Sequence, residues 1–137
     1  MRHRAEPSSS LLVTKMAVGG EMSGQREYFV TLKLCREGYR IFAGYHERGR
    51  GVDHYTSIPC NVVLSAEDFE EYINDLRELG FDVKIYRKKT NPLGEWLLYI
   101  HLRSPDGMHY RIKAVRTTDL WGTTEVSFLD YVAYLDK

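Results

Sequence analysis

The chain is poor in amide side chains: Gln25 is its one glutamine, Asn appears only at 61, 74 and 91, and 28% of the residues are charged. Few thermolabile amides among many charges is the compositional habit of thermophile proteins. No apolar run approaches the roughly 18 residues a membrane-spanning helix needs. The first twenty residues, MRHRAEPSSSLLVTKMAVGG, offer only Leu11-Leu12-Val13 where a secretory signal needs a longer apolar stretch. A cytoplasmic location with no membrane partner is therefore expected. Cysteine is down to Cys35 and Cys60, without C-x-x-C spacing and in strand-like apolar surroundings. Buried free thiols are expected there, with a disulfide as the alternative in a hyperthermophile cytosol.

Missing motifs narrow the chemistry further. No Walker or dinucleotide glycine pattern occurs, and Gly49-Arg50-Gly51 does not join a strand to a helix as a phosphate-binding loop must, so no nucleotide cofactor is expected. Ser57, Ser65 and Ser127 fall in a strand, at a helix cap and in a helix, with no nucleophile signature. His46, Asp53, His54, His101 and Asp106 contain no i, i+4 helical pair of the kind that grips zinc. They read as solvated side chains, and neither a metal site nor a catalytic residue is expected.

What is present suits a single domain. At 137 residues and 43% hydrophobic content there is room for one core and not for two. Residues 1–25, with three consecutive serines and several glycines, lack a periodic apolar face and read as a flexible tail before a domain at 26–137. EYFVTLKLC and YRIFAGYHE flank Arg36-Glu37-Gly38, a hairpin signal. A three-residue loop there pairs Leu34 with Arg40, Leu32 with Phe42 and Val30 with Gly44. HYTSIPCNVVL reads as a third strand that Pro59 confines to an edge or bulge. Ser65 caps a helix that Gly80 stops, with Phe69, Tyr72, Ile73, Leu76 and Leu79 as its apolar stripe and an acidic, solvated back. FDVKIYRKK is a strand and TNPLG a turn. EWLLYIHLR and MHYRIKAVR then form a second hairpin around Pro105-Asp106-Gly107. Its register sets Leu98 against Ala114, Ile100 against Ile112 and Leu102 against Tyr110 on the core side. The spacing of Val126, Leu129, Val132 and Leu135 predicts a closing helix. The expected class is α+β: an antiparallel sheet or sheets of about six strands with two helices, in the order βββαβββα.

Net charge is zero, with 19 Lys and Arg against 19 Asp and Glu, but the charges are segregated. Residues 61–82 carry −6 and residues 83–116 carry +6. The second hairpin turns Tyr99, His101, Arg103, His109, Arg111 and Lys113 outward, and an in-phase neighbour adds Lys84, Tyr86 and Lys88 without an interleaved acid. Like charges facing each other across strands destabilise a sheet. A phosphate backbone offsets that repulsion, and the rings offer planes for unpaired bases. Arg48 and Arg50, in the loop YHERGRGVDHY, are candidates to reach around the same strand. The expected function is non-catalytic binding of single-stranded DNA or RNA. Its rivals are a protein-interaction or self-assembly module, with a homo-oligomer as product, and a Mg²⁺-dependent nuclease built on Asp82 and Lys84 with Asp68 or Asp75.

In size, composition and in the strands YFVTLKL, VKIYRKK, WLLYIHLR and HYRIKAVR, residues 28–135 resemble the ThermoDBP-type single-stranded DNA-binding proteins of thermophilic archaea. The resemblance implies a basic cleft floored by hydrophobic side chains, without catalysis.

Overall fold

The computed structural model describes residues 25–89 and 95–135. The expected tail, up to residue 24, and the TNPLG turn lie outside the described residues. Runs rich in β-branched and aromatic residues build three strands, β1 (Arg26–Cys35), β2 (Gly38–Glu47) and β3 (Val52–Pro59), into one sheet in that order. The remaining strands are β4 (Leu64–Ser65), β5 (Asp82–Lys89), β6 (Trp96–Arg103), β7 (His109–Thr118) and β8 (Thr124–Leu135). They form a second sheet in the order β4-β8-β7-β6-β5. All these pairings are antiparallel. Between β4 and β5 runs α1 (Ala66–Glu78). The class is α+β, but among the described residues there are eight strands and one helix, not about six and two.

The helix forms as its sequence dictates. The Ser65 hydroxyl accepts the Asp68 amide at 3.1 Å, and Glu67 and Asp68 complement the positive end of the helix. Gly80, at φ +108°, closes it. The Gly80 amide donates to the Arg77 carbonyl and the Phe81 amide to the Leu76 carbonyl, the paired bonds of a Schellman ending. Tyr72, Ile73, Leu76 and Leu79 are buried and Phe69 stacks on Phe128 at 5.4 Å, so the expected apolar stripe stands. Glu67, Asp68, Glu70 and Glu71 are exposed, but Asp75 lies on the buried side, at 3% exposure. One core joins this stripe to Val30, Ile41, Ala43, Tyr45 and Ile58 of the first sheet and Leu98, Ile100, Leu102, Ile112, Ala114, Val126 and Phe128 of the second.

Two expectations fail for reasons visible in the packing. The first hairpin turns through Arg36-Glu37 alone, pairing Cys35 with Gly38, Leu32 with Ile41 and Val30 with Ala43. That register is one residue away from the expected one and exchanges the two faces of β2. It gathers Val30, Ile41, Ala43 and Tyr45 on one buried side, which the other pairing would have split between core and solvent. The expected closing helix is the strand β8. Its β-branched and aromatic residues suit a pleated, half-buried surface. An irregularity sets residues 129–131 opposite Lys113 alone, and Val126, Phe128 and Val132 still face inward.

Pro59 ends β3 at a sheet edge, where its missing amide costs no ladder bond. Both cysteines are free, and burial pushes the Cys60 thiol up to about 11. Among the described residues no helix is long and apolar enough to cross a membrane.

Candidate nucleic-acid interface

The second hairpin has the register its sequence predicts. Tyr99 pairs with Lys113, His101 with Arg111 and Arg103 with His109. Ser104 closes the Pro105-Asp106-Gly107 loop through its amide to the Met108 carbonyl, with Gly107 at φ +93°. Strand β5 is in phase, setting Lys84 beside His101 and Tyr86 beside Tyr99. Because side chains alternate along each strand, these pairings bring Lys84, Tyr86, Lys88, Tyr99, His101, Arg103, His109, Arg111 and Lys113 onto the outer face of the five-stranded sheet.

At the centre of that face, cations and rings interleave. The Arg111 guanidinium lies 5.1 Å from the Tyr99 ring and 6.0 Å from the Tyr131 ring, and donates to the Tyr131 hydroxyl at 3.2 Å. The Lys113 ammonium lies 4.5 Å from the Tyr131 ring and 5.9 Å from that of Tyr99. Ring faces carry partial negative charge and attract such cations, by about 0.5–1 kcal/mol for a pair as accessible as Arg111 and Tyr99. Among the described residues neither Arg111 nor Lys113 forms an ion pair with a carboxylate. The bond from Arg111 lowers the Tyr131 phenol below its ordinary value. Tyr131 escapes the sequence reading because the segment reads as a helix, and a helix would not have put it beside Lys113.

Toward one end, Asp82, Lys84, Tyr86, His101, Leu102, Arg103 and His109 line an open depression of about 250 Å³. Tyr86 meets His101 edge to face at 4.8 Å. Partial burial, then the neighbouring Arg111 and His109, hold the His101 imidazole below its ordinary value. At neutral pH it is therefore a ring rather than a charge. The face is not free of acids. Asp82 pairs with Arg103 across the strands at one end, and Glu125, opposite Thr117, stands at the other. Both are remote from the row that holds Tyr99 and Lys113.

Arg48 and Arg50 do not join this face. Their turn belongs to the three-stranded sheet and is closed by the Gly51 amide on the Glu47 carbonyl. Arg48 is bound to Glu27 at 2.7 Å, and Arg50 lies 3.8 Å from Glu47. The cluster that surrounds them divides between two faces. His46 meets Asp53 at 2.5 Å on the accessible side, and His54 meets Glu47 at 2.7 Å on the buried side. Among the described residues no three His, Cys, Asp or Glu side chains converge as a metal ion requires.

A second feature missed in sequence is the tip of the β7–β8 hairpin, where Leu120 and Trp121 are 97% and 88% exposed. Comparison with family models, with curated proteins and with solved structures finds no match for this chain.

Proposed function

We propose that the protein binds single-stranded DNA or RNA, without catalysis, across the outer face of its five-stranded sheet. The observation that carries this reading is the row Tyr99, Lys113, Tyr131 with Arg111 beside it: two cations held between two rings, their charge uncompensated by any described carboxylate. Phosphates would meet the cations and supply most of the affinity, while unpaired bases would stack on Tyr86, Tyr99 and Tyr131 with little discrimination among them. Arg48 and Arg50, paired on the other sheet, have no part in this surface. Titration of a fluorescent oligothymidylate at low and moderate salt tests the proposal. Binding that weakens steeply with salt is expected, and absence of binding at low salt refutes it.

A second reading is favoured by one observation, the exposed acidic back of α1 formed by Glu67, Asp68, Glu70 and Glu71. Seated on the basic face of another copy, it would make this an assembly module. Sedimentation separates the two: a salt-sensitive oligomer with no oligonucleotide affinity supports assembly. The nuclease reading has weaker support, because Asp75 is buried in α1 while Asp82 is exposed at the start of β5. Cleavage of the labelled strand on adding Mg²⁺, lost in Asp82→Asn, would replace binding with hydrolysis.

A further inference from the structure

The hairpin that bears Arg111 and Lys113 ends in a turn built with unusual care. The Asp119 carboxylate accepts the amides of Trp121 and Thr123, both at 2.9 Å. The Gly122 amide donates to the Asp119 carbonyl at 3.1 Å, the Asp119 amide to the Thr123 carbonyl at 3.0 Å, and Thr118 and Thr124 join hydroxyls at 3.2 Å below. Such a turn is ordered before anything binds. What it holds in water is two large apolar side chains, Leu120 and Trp121, whose exposure a polar pair would avoid.

From this we infer that Leu120 and Trp121 form an outlying stacking station for the same single strand that crosses the sheet, an inference that rests on the function proposed above. Two observations favour a nucleic acid as occupant. The tip is continuous with the ring-and-cation row, since Lys113 lies on β7 and Tyr131 on β8 of the same hairpin. At ~3.4 Å per strand residue the tip stands about 20 Å beyond Lys113, within the reach of a strand of several nucleotides. Trp121 supplies the largest ring for a base, and Leu120 can wedge beside it as apolar side chains do between base steps.

Oligothymidylates of 4 and 16 nucleotides distinguish the station from the sheet. The 16-mer should protect Trp121 from acrylamide quenching, and Trp121→Ala should abolish that change, leaving only the signal of the second tryptophan, Trp96. Trp121→Ala and Leu120→Ser should each weaken the 16-mer by about ten-fold, the scale of one lost stacked base, and leave the 4-mer within about two-fold. Both sites are exposed, and unchanged melting midpoints are expected. Equal weakening of both lengths, or none, overturns the inference while leaving the sheet-face reading intact. If neither length binds the parent protein, the functional proposal fails and the station with it. Sedimentation with anionic vesicles, lost in Leu120→Ser or Trp121→Ala while oligonucleotide affinity is unchanged, would assign the tip to a lipid surface and refute the inference.

Discussion

Replacing Arg111 and Lys113 together by glutamine tests whether the ring-and-cation row acts through phosphates. Each single-strand phosphate neutralised contributes about −0.7 to the slope of log K against log salt. If Lys84, Lys88, Arg103, Arg111 and Lys113 each take one phosphate, the slope is about −3.5, and affinity falls by about 100-fold between 50 and 200 mM salt. His101 adds nothing at neutral pH because its pKa is held down. Removing Arg111 and Lys113 should flatten the slope to about −2.1, leaving a fall of about 20-fold over the same range.

Fluorescence anisotropy with a labelled 12-mer at four salt concentrations reads both slopes directly. The control removes the same charge elsewhere. Lys33→Gln with Arg36→Gln changes the net charge identically but lies on and beside β1 of the other sheet, where Lys33 rests 5.4 Å from the Phe42 ring. That variant should keep a slope of about −3.5. If the two double variants flatten the slope equally, net charge and not this face governs binding. If the Arg111 and Lys113 pair leaves the slope unchanged, phosphate contacts lie elsewhere.

Three further outcomes follow from the same structure. A bound phosphate should raise the depressed His101 pKa, so that binding takes up a proton; affinity should rise as pH falls from 7.5 toward 5.5, and His101→Phe should flatten that profile when titrated at fixed ionic strength. The two histidine–carboxylate pairs of β2 and β3 should differ in worth: His54→Ala removes the 2.7 Å partner of Glu47, 2% exposed, leaving it the longer 3.8 Å contact to Arg50, and should cost about 3 kcal/mol, whereas breaking the accessible His46–Asp53 pair should cost no more than about 1 kcal/mol. Urea midpoints measure both, and equal losses would contradict the burial argument. Native protein at pH 8 should take one thiol label, at half-buried Cys35, while buried Cys60, whose thiol is pushed up to about 11, reacts only after denaturation; mass spectrometry counts the adducts.

How far the sequence foretells the fold depends on what fixes each register. In the second hairpin, alternation and the Pro-Asp-Gly loop agree, and the pairings from Leu98–Ala114 to Arg103–His109 come out as read. In the first, both faces of β1 and β2 carry apolar residues, so alternation does not choose between two registers and the loop alone decides. Arg36-Glu37-Gly38 fits a three-residue loop as well as a two-residue one. Burial of Tyr45, Ile41 and Ala43 against the rest of the core settles the choice, a tertiary effect invisible in a local window. Strand β8 misleads for a related reason. Its irregular pairing at residues 129–131 breaks the two-residue period, and what remains of Val126, Leu129, Val132 and Leu135 mimics a helical stripe.

That misreading also hid part of the site's electrostatics. Read from sequence, the basic face needs an external anion to relieve its own repulsion. In the fold the repulsion is relieved from within, because His101 is held toward its neutral form by partial burial and then by Arg111 and His109, and Tyr99 and Tyr131 present ring faces to Arg111 and Lys113. The sheet is thus stable without a partner, and sheet stability cannot be the argument for a ligand. The argument rests instead on what the relief leaves in place. Ring quadrupoles attract a cation without cancelling its charge, so Arg111 and Lys113 keep their field, and no described carboxylate competes for it. A Glu or Asp at position 131 would stabilise the same two cations at least as well and would close the face to polyanions. Tyrosine there leaves the charge available and adds a plane for a base. Tyr131→Glu should therefore leave folding intact, as read by its melting midpoint, and weaken the 12-mer by ten-fold or more, a figure of about one lost phosphate contact plus one lost stack; Tyr131→Phe, which keeps the ring and loses only the 3.2 Å bond from Arg111, should retain most of the affinity. Equal affinity for the Glu and Phe variants would remove Tyr131 from the binding surface.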